Sequence, residues 1–273
     1  MCAPAISGKF VMVIVFSVCH SLTATARGRI DDFMANLRLD DLRWGGFRIW
    51  QDPEGFCFSV DAVILAKFCP IKPGMKVLDA GCGNGILPLL LKAREPRVDV
   101  IGLELDARAA RLAQKNMEEN HVEATILHGD MMEAPAFWER DFFDCIISNP
   151  PYEKTGSGRL PKGDRRALAR AEIRWDTDLF MKHSAYLLKG MGKLVIIHRP
   201  RRLSELIVSA VKYGLEPKRL RFVQPNPAKS PNLVLLEFVK GGNPGLTVEE
   251  TLFVYNDDKT YHSMMERIFE EPK

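Results

Sequence analysis

The chain has 273 residues, of which 46% are hydrophobic and 27% charged, enough apolar material for one large α/β core with small additions. Its six cysteines (Cys2, Cys19, Cys57, Cys69, Cys82 and Cys145) are scattered without a C-x-x-C pair, which argues against a disulfide framework or a zinc site and fits reduced, mostly buried thiols. The net charge of +3 is unevenly divided: Tyr152 to Lys240 holds 19 Lys and Arg against 8 Asp and Glu, and the remainder 19 against 27, so a +11 segment sits in a −8 background. A polyanion partner and a plain solvated basic surface explain that asymmetry equally well until motifs are added.

Along the chain, Lys9 precedes the apolar run Phe10 to Cys19, and Ala24-Thr25-Ala26 follows it, the layout of a secretory signal with its cleavage site. The run is too short to cross a bilayer as a helix. Residues 1–35 are expected to be an over-extension of the reading frame, with the natural start near Met34. Residues 36–73 read as a lead-in segment: a strand at Arg48-Ile49-Trp50, a turn at Asp52 to Gly55, and a helix from Ser59 to Phe68 with Ser59 as N-cap. Residues 74–240 form the expected main domain, in which strands alternate with helices and so imply parallel βαβ units. The strands are Lys76 to Asp79, Val98 to Glu104, Ala124 to Leu127, Phe143 to Ser148 and Lys193 to His198, with helices at Ile86 to Ala93 and Ala107 to Glu119. Leu220 to Val223 and Leu233 to Val239 flank a Pro-rich stretch and read as a closing hairpin, ahead of a tail at 241–273. Glu153 to Arg174, polar, basic and Gly-containing between two core elements, reads as a long functional loop.

The first strand hands over to its helix through Asp79-Ala80-Gly81-Cys82-Gly83-Asn84-Gly85. Glycines there permit positive φ and close backbone approach to a ligand. The spacing is G-x-G-x-G, not the G-x-G-x-x-G of a dinucleotide site. An acidic residue ahead of the first glycine suits a cationic amino-acid moiety better than a pyrophosphate. Glu104 ends the second strand, where a carboxylate can bond a ribose diol, and Asp130 ends the third, where one can accept from an adenine amino group. The combination resembles the class I S-adenosylmethionine-dependent methyltransferases. That resemblance implies an α/β, Rossmann-like fold with a seven-stranded, mostly parallel sheet, its last strand antiparallel, helices on both faces, and S-adenosyl-L-methionine as cofactor.

The fourth strand runs into Asn149-Pro150-Pro151-Tyr152 at the same sheet edge. A conjugated amino nitrogen is a poor nucleophile because its lone pair is delocalised. The Asn149 side-chain oxygen and the Pro150 carbonyl can each accept one amino hydrogen, pushing the nitrogen toward sp3 and aiming its lone pair at an incoming methyl. Proline holds these acceptors in place before reaction, and Tyr152 offers a face for a base turned out of its stack. Direct displacement of this kind needs no metal and no covalent nucleophile. The tetrad resembles the N-P-P-Y of methyltransferases that act on the amino groups of adenine, cytosine or glutamine amides.

Lys154, Arg159, Lys162, Arg165, Arg166 and Arg170 follow the tetrad at once, placing positive charge where a phosphate backbone would approach, and Arg199 closes the fifth strand. The chain from about Leu42 to Phe269 is similar to the bacterial tRNA adenine-N6 methyltransferases that modify the adenine beside the anticodon of valine tRNA. The resemblance rests on Gln51 to Ala62, the tetrad, Ala169 to Glu172, His198-Arg199-Pro200 and Val254 to Asp257. It implies that Phe58, Ser59 and Asp61 line the cofactor pocket, that the partner is tRNA, and that the location is cytoplasmic, the signal-like N-terminus being spurious. A glutamine-amide methyltransferase of a translation factor, an rRNA amino-methyltransferase and a non-catalytic RNA-binding relative remain as alternatives. The first normally carries a helical recognition domain ahead of the catalytic one.

Overall fold

The computed structural model describes residues 36–42, 44–53, 59–150, 152 and 176–270. The signal-like segment, Phe58, Pro151 and the basic residues Lys154, Arg159, Lys162, Arg165, Arg166 and Arg170 lie outside them. No helix of the described residues is long and apolar enough to cross a membrane.

A short antiparallel hairpin, β1 (Arg38–Asp41) and β2 (Arg48–Gln51), precedes helix α1 (Val60–Phe68). The main sheet then begins with β3 (Lys76–Ala80), α2 (Ile86–Arg94), β4 (Asp99–Glu104), α3 (Ala107–Glu119) and β5 (Thr125–His128). A 3₁₀ turn at Met131–Ala136 leads to β6 (Phe143–Ser148). The second half contains α4 (Thr177–Leu187), β7 (Leu188–His198), α5 (Leu203–Lys212), β8 (Leu215–Gln224) and β9 (Leu233–Lys240). Two two-residue strands, β10 (Thr247–Val248) and β11 (Leu252–Phe253), and helix α6 (Ser263–Phe269) complete the described chain.

The sheet order is β8-β9-β7-β6-β3-β4-β5, with β9 antiparallel to both neighbours and the other pairs among β3 to β7 parallel. The seven strands and the antiparallel last one match the expected fold. The short β10 and β11 extend it by pairing parallel to β8. The strand run reverses direction between β3 and β6, so the carboxyl ends of these two strands flank the crevice where open α/β sheets bind ligands.

Apolar runs build this sheet because both faces are covered. Successive residues of β7 alternate between two cores, Val195 and Ile197 on one side, Leu194 and Ile196 on the other. In β6, Cys145 and Ile147 join the first core and Ile146 the second. Helices α1, α2 and α3 close the first face, and α4 and α5 the second. The lead-in and the tail share the first core: Trp44, Met264, Met265 and Ile268 pack within it, and the Trp44 indole N–H donates to the Phe269 carbonyl at 3.0 Å.

Two asparagines four residues apart on α3 fix the hairpin to the domain. Asn116 accepts from the Trp50 N–H (2.7 Å) and donates to the Trp50 carbonyl (3.0 Å) and to the Asn84 carbonyl (2.9 Å). Asn120 accepts from the Arg48 N–H and donates to its carbonyl, both at 2.7 Å. Their amides thus take the place of a neighbouring strand for β2, and Asn116 also grips the glycine turn.

Candidate active site

The Asp79–Gly85 turn lies between β3 and α2, as expected, and its glycines divide into two kinds. Gly81, Gly83 and Gly85 all have positive φ, of 85°, 55° and 85°. A Cβ added at Gly81 or Gly83 would meet open space, whereas one at Gly85 would come within 3.0 Å of Met117 Cε and 3.1 Å of Ala113 Cβ. The first two therefore face open space, and the third is required by packing of the turn on α3. Gly85→Ala combines a left-handed conformation with overpacking, at a cost of about 2–4 kcal/mol. A Tm lowered by roughly 5–15 °C in a thermal melt of the cofactor-free protein is the expected result.

The backbone of the turn is tied to β4. The N–H groups of Gly81 and Cys82 donate to the Leu103 carbonyl at 2.8 and 3.1 Å. The Glu104 carboxylate receives the Gly83 N–H through Oε2 and the Asp106 N–H through Oε1, each at 2.8 Å. Burial raises the Glu104 pKa despite these bonds. Asp79 is fully buried, and neither of its carboxylate oxygens has a hydrogen-bond partner among the described residues. Burial first, and the nearby negative charge of Glu104 second, push its pKa well above the ordinary carboxylate value. A buried carboxyl without a partner avoids the cost of an unpaired charge by holding its proton. Asp130 caps the 3₁₀ turn, its Oδ1 accepting the Met132 N–H at 2.9 Å.

Across the switch point, the Ser148 hydroxyl donates to the Ala80 carbonyl at 2.7 Å and joins the end of β6 to the start of the glycine turn. Pro150 is buried and Asn149 half-buried. The Tyr152 hydroxyl lies 2.7 Å from Asn149 Oδ1 and 2.9 Å from Asp61 Oδ2. Asp61 therefore meets the tetrad itself, from the first turn of α1. Ser59 stands at the N-cap position of that helix but makes no capping hydrogen bond through its side chain.

The Tyr152 ring is held on several sides. The Arg199 guanidinium sits 4.7 Å from its centroid, and the His198 ring packs at 5.7 Å with a tilt of 56°. Arg201 donates to the Tyr152 carbonyl at 3.4 Å, and Arg199 to the Asn232 carbonyl at 3.2 Å. Position at the end of the fifth strand suits Arg199 to phosphate contact or to a structural role, and Tyr152 to a base. In this structure the two side chains engage each other. Beneath them, His198 is fully buried and its Nδ1 accepts the Arg199 N–H at 2.7 Å. Burial and the adjacent Arg202 charge lower the His198 pKa to about 4.

The unfolded chain protonates this histidine first, so its contribution to stability is complete above pH ~6.5 and drains away as pH falls toward 4, by up to roughly 3 kcal/mol. Denaturant titrations between pH 4 and 7 are expected to show that acid-side slope reduced in a His198→Gln variant.

Sequence reasoning missed Ser148, Asn116 and Asn120 as organisers of the site. The signal was present for the last two: asparagine is a poor helix former, and two at i, i+4 in an Ala-rich helix mark a face with backbone groups to satisfy.

A family model described as the methyltransferase small domain matches residues 57–211. The chain is 30% identical over 218 residues to a tRNA1(Val) (adenine(37)-N6)-methyltransferase of Tolumonas auensis, covering 79% of this chain and 89% of that protein. It is 28% identical over 237 residues to the protein of the same name from Vibrio vulnificus, covering 86% and 96%. Among solved structures, a predicted O-methyltransferase from Agrobacterium tumefaciens superposes with a TM-score of 0.62 at 18% identity, over 78% of this chain and 96% of that one. At that identity the likeness speaks for the fold.

Proposed function

The chain belongs to the methyltransferase small-domain family, and from that premise we propose that it transfers a methyl group from S-adenosylmethionine to the N6 amino nitrogen of an adenine in tRNA. Adenine 37 of tRNA1(Val), named in the relatives that span most of the chain, is the proposed target. The reading carries a cytoplasmic location with it, where both cofactor and tRNA are present.

The observation that carries the proposal is the convergence of two unlike features at one switch point. On one side stands a buried, unpartnered carboxylate beneath an open glycine turn, and on the other an Asn-Pro pair at the end of β6. Asp79 would hold the ammonium of the cofactor's amino-acid part, Gly81 and Gly83 leave room for its approach, and Glu104 and Asp130 supply carboxylates for ribose and adenine. Bound there, S-adenosylmethionine supplies an electrophilic methyl on a sulfonium. Asn149 Oδ1 and the Pro150 carbonyl would accept the two amino hydrogens of the target base, localising the nitrogen lone pair and aiming it. The Ser148 to Ala80 hydrogen bond keeps these acceptors in register with the turn, so positioning is built before substrate arrives. The basic residues Lys154, Arg159, Lys162, Arg165, Arg166 and Arg170 would meet the phosphate backbone, while Arg199 stays on the Tyr152 ring.

A transfer assay with tritiated S-adenosylmethionine separates the candidate substrates. Label is expected in total tRNA and not in RNase-treated tRNA, rRNA or a translation release factor. Label in the release factor, with tRNA silent, would replace this reading by glutamine-amide methylation.

A further inference from the structure

On the reading that Asn149 accepts an amino hydrogen of the substrate, we infer that Asp61 is a positioning residue which decides which end of the Asn149 carboxamide faces the substrate. The geometry is a chain of three side chains brought together from 91 residues apart: Asp61 Oδ2, the Tyr152 hydroxyl at 2.9 Å, and Asn149 Oδ1 at 2.7 Å from that hydroxyl. A phenol has one proton, and here two oxygens stand within reach of it. Burial and the Asp61 charge hold the Tyr152 pKa far above its ordinary value, so that proton stays on the phenol.

Each placement of the proton fixes a different amide. If Tyr152 donates to Asn149, the oxygen that the substrate needs is capped. If Tyr152 donates to Asp61, its own oxygen becomes an acceptor, and an amide oxygen opposite it at this distance would be repelled. The carboxamide then turns about its terminal bond, donates through Nδ2 to the phenol, and presents Oδ1 to the crevice. The two ends of a carboxamide have the same shape, so the turn disturbs no packing. A carboxylate is the stronger acceptor, and intact Asp61 therefore selects the second arrangement. The phenol is a rigid fulcrum for the exchange because Arg199, His198 and Arg201 hold its ring and backbone.

The variant D61N reverses the selection: its amide donates to the phenol oxygen, and the phenol proton turns to Asn149 Oδ1. Its kcat on tRNA is expected to fall by about 10- to 100-fold, less than the loss of a direct preorganised contact because Asp61 acts through Tyr152 and Asn149, with cofactor affinity by calorimetry unchanged. Y152F removes the fulcrum and should cost less, and the double variant D61N/Y152F should match Y152F and exceed D61N. A ¹H–¹⁵N spectrum gives a readout independent of turnover. The Asn149 side-chain NH2 pair, identified by its loss in N149D, should carry one proton shifted by the phenol bond in the wild type and lose that shift in D61N. A double variant as slow as the product of the two single effects, or an NH2 pair identical in wild type and D61N, would overturn the inference. So would D61N that binds cofactor weakly but keeps its kcat. Failure of the functional reading looks different: wild-type protein would leave tRNA unmethylated while the NH2 shift still responded to D61N.

Discussion

Asn149→Ala is expected to lower kcat on tRNA by about 100-fold or more while cofactor affinity stays unchanged. The side chain stands at the end of β6, on the opposite flank of the switch point from the Asp79–Gly85 turn, so its loss removes the proposed acceptor for the amino group and nothing from the proposed cofactor cradle. Truncation also releases the Tyr152 hydroxyl to Asp61 alone, which leaves no buried donor unpaired. Stability should therefore change little, and a normal thermal melt would exclude misfolding as the cause of the lost turnover. Single-turnover kinetics with saturating cofactor separates the two contributions. Retained chemistry with weakened cofactor binding would remove Asn149 from the role given to it.

Asp79→Asn is expected to act in opposite directions on the free and the loaded protein. In the free protein the fully buried Asp79 carboxyl has no hydrogen-bond partner among the described residues and lies near a second carboxylate, Glu104. An amide of the same shape is neutral without taking up a proton, and should raise the stability of the cofactor-free form at neutral pH by about 1–3 kcal/mol. Cofactor affinity should fall on the order of 100-fold, because the ammonium then enters a buried site without its counter-charge. The pH dependence follows from the raised pKa. Between the ordinary carboxylate range and its own higher value, the folded state holds a proton that the unfolded chain has lost. Stability of the free protein should thus fall as pH rises through that window, and Asp79→Asn should remove this component of the slope. Melts across pH 4–8, with and without cofactor, test both signs.

Much of this fold was legible because the residues that matter are near one another in sequence. The apolar runs of β6 and β7 announce strands covered on both faces, and the glycine turn and the Asn-Pro pair each follow their strand directly. The antiparallel β8–β9 pair was visible from the Pro-rich turn between its halves, although β8 begins at Leu215 and not at Leu220.

What remained hidden depends on pairs far apart in the chain. Periodicity marks α1 as a buried helix but cannot say that Asp61 in its first turn reaches Tyr152. Nor can it say that Asn116 and Asn120 stand in for a strand beside β2, or that the tail docks through Phe269 on Trp44. The same holds for Arg199: charge and position argue for phosphate, whereas the fold lays its guanidinium over an aromatic ring that happens to lie beneath it. Glu104 and Asp130 were read as ligand carboxylates from their places at strand ends. In the structure both satisfy backbone N–H groups of the protein, a role that spacing alone does not reveal.

The most direct measurement is nucleoside mass spectrometry of unmodified tRNA1(Val) incubated with the purified protein and S-adenosylmethionine, with the modified fragment then sequenced. N6-methyladenosine is expected at position 37, and only about a hundredth as much in the Asn149→Ala reaction over the same time. A methyl group on a ring nitrogen, a ribose hydroxyl or the amide of an added release factor, with every adenine amino group untouched, would contradict it.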